Sequence, residues 1–169
     1  AATLLREAGI ASSSNGCRGI DHGAWVPLRW MYPGCDVPVV QLSVQPGLGT
    51  PHHLQVGRAL QPLTERDVLV IGSGHVTHNL RDWMMSRDAL QPLPYVSVFS
   101  QWLESHLASD DEMALLAYRE QAPEAARAHP TEEHFLPLYV ALGAAGSAVT
   151  SRRIYSGMEG AALSMDAYE

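Results

Sequence analysis

Only two cysteines, Cys17 and Cys35, occur in the 169 residues, too few for the disulfide framework of a small secreted domain. They can pair only if the fold brings their Cα atoms within about 7 Å. With no secretory signature they read as free thiols in a reducing compartment, which points to the cytoplasm. Apolar runs are short. None approaches the roughly 18 consecutive residues of a membrane span, and the N-terminus lacks a basic region followed by an apolar one, so neither membrane insertion nor export is expected. Positive charge is scarce: 11 basic side chains against 18 acidic ones leave a formal charge of −7, whereas a nucleic-acid partner demands a basic face. Familiar nucleophile and phosphate signatures are missing too. There is no Gly-x-Ser-x-Gly elbow, and neither cysteine has a histidine neighbour in sequence. Gly72-Ser73-Gly74 lacks the following lysine of a phosphate loop, and Thr77 stands where a dinucleotide fingerprint needs glycine.

What remains is a chain with 46% hydrophobic and 17% charged residues, the balance of one globular domain over residues 1–169 that needs no staples. Leu4, Leu5 and Ala8 mark a first helical face, broken by Ser12 to Gly16. Trp25, Leu28 and Met31 recur at helical spacing, with Pro27 starting or kinking that helix. Val37 to Val44 and Asp67 to Ile71 are β-branched apolar runs that read as buried strands. The Thr50-Pro51 helix start between them predicts a right-handed parallel crossover. Further helices are expected at Tyr95 to Leu107, after the acidic turn Asp110-Asp111-Glu112, and at Glu124 to His129. One more is expected from a Thr131 cap through His134, Leu136, Tyr139, Val140 and Leu142, stopping across Gly143 to Ser147. Arg152 to Tyr155 and Ala162 to Met165 read as terminal strands. The fold class is α/β: a central, mostly parallel or mixed sheet flanked by helices.

Such sheets gather functional groups beyond the carboxyl ends of their strands, where His75 and His78 follow Gly72-Ser73-Gly74. Eight histidines are present, and with those signatures missing, histidine chemistry, with or without a metal, is what remains. His22 in Asp21-His22-Gly23, His78 before Asn79, and His134 after Thr131-Glu132-Glu133 have unusual local contexts. His75 and His78 are three apart, a metal-pair spacing on a helix but one of little weight in a loop. His52-His53 reads as a solvated first helical turn, and His106 and His129 as exposed or half-buried helix positions.

Four blocks then occur in a telling order: Gly19-Ile20-Asp21-His22-Gly23-Ala24-Trp25-Val26-Pro27-Leu28; Val37-Pro38-Val39-Val40-Gln41-Leu42-Ser43; Gly72 through Arg81; and Thr131 through Leu138. Together they resemble class III extradiol ring-cleavage dioxygenases, in the branch similar to DOPA 4,5-dioxygenase. The closing Gly157-Met158-Glu159 and Leu163-Ser164-Met165 fit the same pattern. The resemblance implies a non-haem metal, Fe(II) first and Zn(II) second, that gathers a catechol substrate and O₂. It implies His134 as a metal ligand, His78 as the acid/base histidine close enough to the metal to ligate it, and His22 as a pocket histidine oriented by Asp21. A catechol acid would need a local basic contact such as Arg29 or Arg81, and either equally suits a surface ion pair.

The family also has two earlier histidine motifs, His-Gly-Ser-Pro and Ala-His-Trp, without counterpart here. The expectation is therefore a chain corresponding to the C-terminal two thirds of such an enzyme, the N-terminal part of the family fold being absent. It would hold half a metal sphere, and it would be sticky or oligomeric unless a homo-oligomer or the missing N-terminal segment covers its open edge. A catalytically inactive paralogue or subunit acting as a binding protein is the alternative, and a metal-dependent hydrolase ranks third.

Overall fold

The computed structural model describes residues 1–146 and 150–169. Pro94, pre-set for a first helical turn, opens α5 (Pro94–Ala108). Val96, Phe99, Leu103 and Leu107 repeat every three or four residues along it, and all are buried. Around this stripe pack the short helices α6 (Glu112–Leu116), α7 (Tyr118–Gln121) and α8 (Ala125–Ala128). Tyr118, Phe135 and Tyr139 complete an aromatic core with Phe99. Each such side chain contributes about 1.5–3 kcal/mol by leaving water. Asp111 caps α6 by accepting the Ala114 N–H at 3.1 Å, as its place before an apolar run suggests.

The second packing unit is a crossing of α3 (Gly49–Leu60) and α9 (Pro137–Ala145). Gly57 and Gly143 face each other at the crossing. A Cβ on the first would overlap the Val140 carbonyl, and one on the second the Leu54 carbonyl, so the backbones approach to a distance only glycine permits. Gly146 ends α9 at φ +87°, within the expected Gly143–Ser147 stop, though Ser147 itself lies outside the described residues. The remaining helices are α1 (Ala2–Glu7), α2 (His22–Met31) and α4 (Leu80–Met85).

The described strands are short: β1 (Arg153–Tyr155) pairs antiparallel with β4 (Ala167–Tyr168), and β2 (Met158–Glu159) with β3 (Leu163–Ser164). Both terminal strand expectations hold, and helices with small sheets agree with an α/β class. The expected parallel crossover does not form among the described residues. Val37–Val44 and Asp67–Ile71 carry no strand ladder, and Val40 and Leu69 are 76% and 60% exposed. A β-branched run becomes a buried strand only where ladder neighbours and a covering layer exist; the described residues supply neither.

Two local expectations are also corrected. Thr131 does not cap a helix holding His134: its hydroxyl donates to Glu133 Oε1 at 2.8 Å, residues 133–136 form turns, and α9 begins only at Pro137. Thr50 lies inside α3, its hydroxyl donating to the Leu116 carbonyl at 2.7 Å and so joining the two packing units.

Candidate metal centre

The glycines of Gly72-Ser73-Gly74 have a packing purpose. A Cβ on Gly72 would overlap the Pro137 carbonyl, and one on Gly74 the His134 carbonyl, so the turn lies flat against the approach to α9. His75 N–H then donates to the His134 carbonyl at 2.9 Å. The next residues are pinned to the C-terminal hairpin. Val76 N–H donates to the Ser164 carbonyl at 3.1 Å, the Thr77 hydroxyl donates to the Ala162 carbonyl at 2.9 Å, and Ser164 N–H donates to the Thr77 hydroxyl at 2.8 Å. His78 N–H donates to the Ala128 carbonyl at 2.8 Å. Backbone bonds thus fix both ends of the His75–His78 turn.

The result is a cluster of three half-buried imidazoles, His75, His78 and His134, each offering a ligand atom within 4.8 Å of the others. The His78 and His134 rings stack with centroids 3.6 Å apart, and His75 lies 5.0 and 6.0 Å from them, centroid to centroid. Burial, and then the neighbouring His134 and His75, push the His78 pKa down to about 4. Burial also lowers that of His75, with His134 contributing. At neutral pH these two rings are therefore uncharged, with a lone pair available.

This donor set fits a metal ion. His75 Nδ1 is buried without any hydrogen-bond partner, a state that costs about 1–3 kcal/mol unless something takes the lone pair. Beside the cluster, burial works against the Glu133 carboxylate, but the Thr131 hydroxyl, a backbone N–H and His134 outweigh it and lower its pKa. Glu133 Oε1 lies 3.8 Å from His134 Nε2.

Of the residues singled out from sequence, His78 and His134 meet directly. His75, given little weight because its segment is no helix, joins them: a turn achieves what the helical argument could not. His22 is exposed at the start of α2, near enough for its charge to weigh on His75. Asp21 does not orient it, because the Asp21 carboxylate accepts the Gln41 amide at 2.8 Å and Asp21 N–H donates to Gln41 Oε1 at 2.9 Å. Arg29 and Arg81 are both exposed. His53 and His129 are not the solvated or half-exposed positions expected, being 3% and 0% exposed. His53 accepts the Gln45 N–H at Nε2 and bonds the Gly49 carbonyl through Nδ1, so both ring nitrogens are used.

The model of the catalytic LigB subunit of aromatic ring-opening dioxygenase matches residues 1–165. The chain belongs to the LigB family. Among relatives, it is 41% identical over 167 residues to the 4,5-DOPA dioxygenase extradiol of Beta vulgaris, covering 98% of this chain and 62% of that protein. It is 44% identical over 153 residues to the protein of the same name from Portulaca grandiflora, covering 90% and 56%. A crystal structure of an uncharacterized protein from Escherichia coli K12 superposes with a TM-score of 0.82 at 30% identity, over 99% of this chain and 70% of that one. The chain thus spans somewhat under two thirds of the length of these two curated LigB relatives. No described helix is long and apolar enough to cross a membrane.

Proposed function

We propose that this LigB chain carries part of the metal centre of an extradiol ring-cleaving dioxygenase acting on a catechol of the DOPA type, working as a single domain in the cytoplasm. The three-histidine cluster carries this reading, because the uncharged His75 and His78 rings beside His134, with an unpartnered buried nitrogen among them, are what a non-haem ion requires. The names of the Beta vulgaris and Portulaca grandiflora relatives support the substrate class, and the two free, exposed cysteines suit a reducing compartment. The retained histidines favour an enzyme over an inactive paralogue.

His134 and His78 would hold the ion, with His75 as a third donor. When bound, Fe(II) would supply a Lewis-acidic, redox-active centre for catechol and O₂, which suits the reaction better than redox-inert Zn(II). The stacking of His78 on His134 supports a ligand role for His78 over a free acid/base role. His22, exposed and outside the donor group, is then the residue to take the catechol proton and return it during ring opening. The glycine-flanked turn keeps the donors aligned, and the Glu133 carboxylate balances charge beside His134.

Three donors leave further coordination positions to fill, and the resemblance locates two more histidines in motifs these 169 residues do not contain. The exposed Val37–Val44 and Asp67–Ile71 runs suit pairing with such a segment. The 169-residue chain by itself is expected to hold metal substoichiometrically and to cleave no catechol, and joining a segment with both motifs is expected to restore metal and activity. Elemental analysis and an assay for the yellow ring-opened product test this. Inactivity of the joined protein with stoichiometric iron bound would overturn the dioxygenase reading.

A further inference from the structure

We propose that His129 is a positioning residue for the donor set, holding the His75–His78 turn through a hydrogen bond to the Val76 carbonyl. The inference rests on the metal-centre reading above. The His129 ring is wholly buried among aromatics, 4.6 Å from the Phe135 ring and 5.6 Å from Phe99, centroid to centroid. In that setting an apolar side chain would be cheaper, since the buried Nδ1 has no partner. What an apolar residue cannot do is donate: His129 Nε2 lies 2.7 Å from the Val76 carbonyl, and a carbonyl can only accept, so the proton sits on Nε2. Val76 lies between His75 and His78, the two donors of the turn.

The stretch around His129 is itself held and holds its neighbours. Arg119 Nη1 donates to the His129 carbonyl at 2.5 Å. The Ala128 carbonyl accepts His78 N–H, and the Arg127 carbonyl accepts the Asn79 side chain at 2.8 Å. Residues 127–129 therefore fix the backbone or side chain at positions 76, 78 and 79. Phe135, against which the His129 ring packs, directly follows His134. His129 touches both arms of the donor set: the turn through Val76, and the third donor through Phe135.

The test uses the chain joined to a segment carrying both further histidine motifs, with zinc as the probe. His129→Gln keeps an N–H donor, and His129→Met has similar length but none. Affinity is read by competition with a chromophoric chelator, the ligand-field spectrum of the Co(II)-loaded protein reports donor geometry, and circular dichroism reports folding. His129→Met is expected to weaken zinc about 10–100-fold and to change the cobalt spectrum, while His129→Gln restores most of both. Equal zinc affinity and an unaltered cobalt spectrum in folded His129→Met would overturn the proposal and make His129 a core residue only. Should His129→Met not fold, His129→Asn, whose shorter amide falls short of Val76, takes its place with the same two outcomes. Failure of the wild-type protein to bind zinc at all would instead sink the metal-centre reading.

Discussion

The Ser73 hydroxyl donates to the Gly23 carbonyl at 2.5 Å, in the place where α2 is missing its own bond. Residue 27 would ordinarily give its N–H to the carbonyl four residues back, but Pro27 has none. The proline therefore does not end α2; it frees a carbonyl, and the turn before His75 takes it. Through this bond the helix carrying His22 is tied to the turn carrying His75 and His78.

Ser73→Ala should loosen that tie without unfolding the protein. The Gly23 carbonyl is near the surface and can turn to water, so global stability should fall by no more than about 1 kcal/mol. Amide exchange should quicken across His22–Met31 and stay unchanged in the Pro94–Ala108 helix. Unaltered exchange in His22–Met31 would mean that the helix is held by other contacts.

Gly74→Ala should damage the donor cluster directly. The added methyl would overlap the His134 carbonyl, so the turn must move away and the His75 N–H to His134 bond must lengthen. Overpacking of this kind costs about 1–3 kcal/mol, and second-sphere displacement weakens a metal about 10–100-fold. Gly47→Ala is the control, since nothing lies within 4 Å of a Cβ there. Thermal melts and zinc competition on both variants check the contrast; equal behaviour would refute it.

The helical half of the molecule was legible because its signals are local. Phe99, Leu103 and Leu107 announce α5 by spacing alone, and Asp111 announces the α6 start by chemistry. His78 and His134 stand out through their blocks, whereas the spacing of His75 to His78 carries little weight from sequence, because its place depends on two glycines whose close approach to Pro137 and His134 has no periodic trace. His129 escaped notice for a similar reason: its burial comes from Phe99 and Phe135, far apart in sequence. The Val37–Val44 and Asp67–Ile71 runs misled in the other direction. Their composition describes an environment buried on both faces, and the described residues do not provide one.

Acid should destabilise the protein through its buried histidines. Burial lowers the His129 pKa to about 3, and also lowers that of His53, against about 6.5 in an unfolded chain. Between those values the unfolded state binds a proton that the native state does not. Stability from this source is thus full above about pH 6.5 and falls as pH drops, by up to about 1.4 kcal/mol per pH unit for each such histidine, until the native pKa is reached. Urea titrations from pH 7 to pH 4 should show the decline, with a shallower slope in His129→Gln. An identical slope in that variant would assign the acid sensitivity to other groups.

His75→Leu should separate the stability of the metal-free protein from that of the loaded one. His75 Nδ1 is buried with no partner, and the ring shares its space with two other imidazoles. Removing it relieves an unsatisfied polar atom, so the metal-free variant should be more stable than the wild type by about 1 kcal/mol. Loading reverses the order. An ion that binds only the native state stabilises it by RT ln(1 + [L]/Kd), about 2.7 kcal/mol when the ion is at 100 times Kd. A variant lacking one of three donors loses most of that gain. Melting temperatures of both proteins, in chelator and in excess zinc, should therefore cross: the variant higher without metal, the wild type higher with it. A variant less stable under both conditions would show that His75 serves packing, and equal zinc-induced shifts would remove it from the donor set.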